Sequence, residues 1–168
     1  MNAFQTSMSV LLGLSLGGAP VVAFSKECTQ ENAIYDDASQ NVRLRFQTPS
    51  EAATVSHLFT VEIAKADVTI DGNVQMTDIV PRSLGTLLYQ CPEGDVTGAD
   101  LEACTVWQGL VYAIDDAGTI GNLADGKAQA AKQLLLADFG AALRQSKLWT
   151  DSLAPAPYDV FLYSGCRS

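Results

Sequence analysis

The sequence predicts an α+β fold: a mostly antiparallel sheet with a helical layer on one face, in a single domain stapled by disulfides. Three observations predict it. Before residue 90, apolar and polar residues alternate in several short runs, the period of strands with one buried face. From Asp125 the apolar residues fall three and four apart, the period of an amphipathic helix. An alternating run then returns near the C-terminus. Strands, a helical region and a final strand make a two-layer arrangement.

The first strand is predicted from Asn41 to Gln47, with Val42, Leu44 and Phe46 inward; Thr48-Pro49-Ser50 ends it. A second alternation runs through Phe59, Val61 and Ile63, with Thr60 and Glu62 outward. Asp71-Gly72 lies between alternating flanks, Val68 and Ile70 on one side and Val74 and Met76 on the other. That pair favours the positive φ angles of a tight hairpin turn, so a hairpin is expected there. Gly85 to Gln90 is a shorter strand candidate leading into Cys91. Val106 to Ile114 is apolar on both faces, which suits a central or well-covered strand. Asp115-Asp116-Ala117-Gly118 reads as a turn into a strand from Thr119 to Leu123.

Ala128, Ala131, Leu135, Phe139 and Ala142 recur at helical spacing, with Leu136 and Leu143 on a neighbouring line. They predict a helical region over 125–146, with Asp125 as its N-cap and Gly140 as a possible break. A linker holding Pro155 and Pro157 follows, then a last strand from Tyr158 to Tyr163 that should insert beside an earlier one.

The first 25 residues carry no Asp, Glu, Lys or Arg. Ser7 to Leu16 is apolar, Gly17-Gly18-Ala19-Pro20 would break a helix, and Val21-Val22-Ala23 offers small residues for cleavage. This order predicts an export signal over 1–23 and a mature single domain over 24–168. A positive n-region is lacking. Membrane spanning needs about 20 predominantly apolar residues, and this stretch is diluted by Ser, Gly and Pro. No stable span is therefore expected after processing, and the address is periplasmic or secreted.

An oxidising compartment makes the four cysteines candidates for cross-links. Cys91 and Cys104 flank a turn-rich loop and are expected to pair, leaving Cys28 to join Cys166. The spacings show no C-x-x-C redox motif and no close ligand pairs for zinc.

The net charge of −9 is uneven. Ser83 to Gly126 has no Lys or Arg but holds Glu93, Asp95, Asp100, Glu102, Asp115, Asp116 and Asp125. Phosphate binding rests on Lys and Arg, so nucleic acid is not an expected partner. Glu93, Asp95, Asp100 and Glu102 form an acidic 93–102 loop that is a candidate cation site, since hard cations take several oxygen ligands. Asp115 to Gly126 fails as a calcium loop, because Ala117, Thr119 and Gly126 stand at ligand positions. Gly13-Leu14-Ser15-Leu16-Gly17 matches a nucleophile elbow, but it lies inside the presumed leader rather than between a strand and a helix.

His57 is the sole histidine. It shares parity with Phe59, Val61 and Ile63 and so points toward the core. As a general base it would need an orienting carboxylate, for which Asp78 and Glu62 are the candidates. Asp78 and Arg82 flank Ile79-Val80-Pro81 and form a candidate polar contact. No Walker A, dinucleotide or H-E-x-x-H motif occurs, so no cofactor is expected. The reading is an exported binding or structural module for an unknown protein or small-molecule ligand. A hydrolase built on His57 and a cation-binding module are its alternatives.

Overall fold

In the computed structural model, residues 28–150 and 157–167 are described. The predicted leader, and Pro155 of the linker, lie outside them.

Among the described residues there are nine strands: β1 (Ala33–Asp37), β2 (Val42–Gln47), β3 (His57–Ile63), β4 (Val68–Met76), β5 (Ser83–Leu88), β6 (Thr105–Ile114), β7 (Ile120–Asn122), β8 (Gln133–Leu136) and β9 (Val160–Cys166). Two short helices, α1 (Gly98–Cys104) and α2 (Phe139–Gln145), interrupt them. Every strand pairing is antiparallel. β1 to β6 pair in chain order, β6 then pairs β8, β8 pairs β9, and β9 returns to β1. The sheet is thus a closed eight-stranded barrel, with β7 added beside one end of β6.

This closed barrel overturns the expected helix-covered α+β sheet. The 125–146 region supplies a strand and one short helix, not a covering layer. Leu134 and Leu136 are fully buried, and half-buried Leu135 points outward between them. A short apolar run fits either period. Here it pairs with both β6 and β9, which removes two open sheet edges at once. Asp125 caps no helix; its carboxylate accepts the backbone N–H of Lys127 in a turn.

The Asp71-Gly72 hairpin is also corrected. β4 runs straight through both residues, paired with β3 on one side and β5 on the other. A Cβ at Gly72 would lie 2.6 Å from the Phe59 ring and 2.8 Å from Leu87. Gly72 is therefore a point of close approach inside the barrel. The turn falls earlier, between β3 and β4, where Asp67 takes a φ of 51°.

The barrel interior is filled. Tyr35, Leu44, Phe46, Phe59, Val61, Ile70, Leu87, Trp107, Leu134 and Phe161 are all at most 2% exposed. An eight-stranded barrel is just wide enough for side chains to occupy its lumen. α2 closes one mouth: Phe139 sits edge-on to both Trp107 and Phe161. The opposite end holds the entering and leaving chain, joined there by the Cys28–Cys166 disulfide. The second disulfide, Cys91–Cys104, closes the loop that carries α1.

Polar residues face outward on β1 to β4, including Asp36, Arg43, Arg45 and Glu62, with ion pairs Arg43–Asp36 and Arg45–Glu62. The barrel interior is apolar, where that of a membrane-spanning barrel is polar. Among the described residues, no helix is long and apolar enough to cross a membrane.

Candidate functional site

A groove of about 620 Å³ lies at the α2 end of the barrel. One wall is the disulfide loop, through Gln90, Pro92, Asp100, Ala103 and Cys104; the other is the end of α2 and the turn after it, Gln145 to Leu148. Tyr89, Thr105 and Val106, where β5 leaves and β6 enters the barrel, form its base.

Local chemistry shapes each wall. Thr97 begins α1 with a capping box: its hydroxyl accepts the Asp100 N–H, and the Asp100 carboxylate accepts the Thr97 N–H. The Thr97 hydroxyl and N–H hold the Asp100 carboxyl below its ordinary range, so it is ionised at neutral pH. The Cys91–Cys104 bond anchors the far end of the helix, with Cα atoms 5.1 Å apart. Opposite, the Ser146 hydroxyl donates to the Leu143 carbonyl and ends α2. Lys147 and Leu148 follow. The groove therefore presents apolar surface at Tyr89, Val106 and Leu148 among polar side chains, with one anionic and one cationic group.

The sequence candidates are scattered. His57 is 3% exposed. Its Nε2 lies 2.9 Å from the Ala124 carbonyl oxygen and its Nδ1 3.1 Å from Ser56 Oγ. Its partners are thus a carbonyl and a hydroxyl, not a carboxylate. Glu62 pairs with Arg45 on the outer wall. Asp78 stands in the exposed loop between β4 and β5, where Arg82 reaches the Tyr112 hydroxyl at 3.5 Å. These residues do not converge. Asp115 serves its turn by accepting the N–H groups of Ala117 and Thr119, which pulls its carboxyl below the ordinary range. In the acidic loop, Asp100 is committed to its cap. Among the described residues, no three His, Cys, Asp or Glu side chains gather to hold a metal ion.

No protein-family model, curated protein or solved structure matches this chain. The groove is assigned on its geometry alone. Sequence reasoning missed its α2 wall, since Gln145 to Leu148 carry no motif. Its disulfide wall was foreshadowed by the spacing of Cys91 and Cys104.

Proposed function

We propose that this chain is an exported binding module, working in a periplasm or outside the cell, whose groove at the α2 end takes a small amphipathic ligand. The groove carries the reading. Its volume of about 620 Å³ falls within the range of small-molecule sites, roughly 300 to 1,000 Å³. Tyr89, Val106 and Leu148 would cover the ligand's apolar body, while Asp100 and Lys147 offer opposite charges at the rim. The filled barrel supplies rigidity rather than a cavity. Two disulfides suit an oxidising compartment.

Amide chemical-shift mapping with a set of small aromatic amines and carboxylates tests this. The expected result is a subset of probes whose shifts cluster at Tyr89, Ala103, Val106 and Leu148, and which Ala103→Trp abolishes. Shifts scattered over the surface, or unchanged by that variant, would remove the groove as the site.

A further inference from the structure

Phe139 to Thr150 holds Arg144 and Lys147 but no Asp or Glu, in a chain of net charge −9. Lys147 lines the groove, and Arg144 lines a second concavity of about 550 Å³ beside it; Gln145 borders both. Each lining includes one carboxylate, Asp100 in the first and Asp159 in the second. Both are already engaged. One Asp100 oxygen accepts the N–H and the hydroxyl of Thr97. The two Asp159 oxygens accept the N–H groups of Asp138 and Gly140. Glu93, Asp95 and Glu102 of the disulfide loop do not line the groove. The two cations differ: among the described residues, neither forms an ion pair. A cation in the last turn suits the carbonyl end of a helix, which accounts for Arg144. It does not account for Lys147. Ser146 leaves the helix with extended backbone and accepts the Trp149 N–H, and that turn carries Lys147 past the helix end. At the base of the groove, the Tyr89 hydroxyl accepts from the Gln90 amide at 3.1 Å and keeps its own hydrogen to donate.

Taking the groove as the ligand site, we infer that it selects an anion: an amphipathic carboxylate whose charged group meets the Lys147 ammonium. Charge complementarity decides the sign. An ammonium ligand would have to share Asp100 with Thr97 and would meet Lys147 as a like charge. A carboxylate meets an ammonium with three donors, none taken up in an ion pair with a described residue. A hydrogen bond between ionised groups is roughly twice as strong as a neutral one. Tyr89 offers a further donor. Val106 and Leu148 cover the apolar body. Arg144, across Gln145, adds to the positive potential.

Three probes with one apolar body, phenylbutyrate, phenylbutanol and phenylbutylamine, test the sign. Each is titrated into the full chain, purified without reductant, and followed by amide chemical shifts. Phenylbutyrate is expected to shift Tyr89, Val106 and Leu148. It should bind about 2- to 5-fold more tightly than phenylbutanol, the range of an exposed ion pair, and phenylbutylamine should bind more weakly than either. Added salt should weaken phenylbutyrate and not phenylbutanol, a readout that needs no variant. Lys147→Gln should remove the preference, and Lys147→Glu should reverse it in favour of the amine. Lys127→Gln makes the same change in net charge as Lys147→Gln, in the turn beside Gln30 at the opposite end of the barrel, and should leave the preference intact. Equal affinities for the three probes at these residues would keep the groove and overturn its selectivity. So would a preference for phenylbutyrate that survives Lys147→Glu. Shifts from none of the probes, or shifts that lie elsewhere, would remove the groove as the site and the selectivity with it.

Discussion

His57 Nε2 lies 2.9 Å from the carbonyl oxygen of Ala124, tying β3 to the loop that follows β7. Nε2 donates to that carbonyl, and Nδ1 lies 3.1 Å from the oxygen of Ser56, whose hydroxyl donates to the Val74 carbonyl. Burial is the largest influence and pushes the ring's pKa down; the Ala124 carbonyl, Asp125 and Glu31 push it partly back. The unfolded chain, with a histidine pKa of roughly 6.5, then binds a proton more readily than the folded one. Stability is fully present above that value and falls as pH drops through it toward the folded pKa. The denaturation midpoint should be lower near pH 5 than near pH 7.5, and His57→Gln should flatten that interval. An equal slope in the variant would assign the pH dependence to other groups.

Gly72 faces the Phe59 ring closely enough that any Cβ must displace it. Gly72→Ala is expected to lower stability by about 1–3 kcal/mol, the range for overpacking a filled core. Phe59→Leu in the same chain should restore part of that loss, because it removes the ring the new methyl meets. Urea titrations of the two single variants and the double variant measure the coupling. Additive losses would show that Gly72 matters for another reason.

These two sites show where the sequence is informative and where it is silent. Alternation placed Val42, Leu44, Phe46, Phe59, Val61 and Ile63 in the core, because the strand period is local. Asp71-Gly72 misled because glycine serves both turns and close approaches, and only the neighbour across the sheet decides between them. Leu134 and Leu136 misled because a short apolar run fits a helix or a buried strand equally. Closure of the barrel through β8 and β9 then chose the strand. β1 drew no expectation of its own, although Ala33, Tyr35 and Asp37 are all buried. The Cys91–Cys104 wall of the groove is a local feature of spacing. The wall after α2 is set by packing on the barrel mouth, and no single residue there announces it.

The two disulfides should differ in what they protect. Cys28–Cys166 spans 138 residues and Cys91–Cys104 spans 13. In the chain-entropy account these correspond to about 5 and about 3 kcal/mol. The Cys28→Ser/Cys166→Ser pair is expected to lower the global denaturation midpoint further than Cys91→Ser/Cys104→Ser. The latter pair should instead speed hydrogen exchange within α1, whose C-terminal residue it releases. Reversed rankings would mean that strain or residual structure outweighs loop length.

Asp159 holds the start of α2 in place. Its carboxylate oxygens accept the N–H of Gly140 at 2.9 Å and of Asp138 at 3.1 Å. Asp138 sits there with a φ of 61°, a left-handed conformation that costs an L-residue energy. Asp159→Ala strips both donors of their partner and should cost about 1–2 kcal/mol, as loss of a helix-capping side chain does. Asp138→Gly adopts the same backbone without that penalty and should offset part of the loss in the double variant. The far end of α2 leads directly into the groove wall. Hydrogen exchange should therefore rise in Asp159→Ala across α2 and at Leu148, while β2 and β3 remain protected. Exchange that rises uniformly over the barrel would instead make Asp159 a determinant of global stability, with no selective hold on the groove.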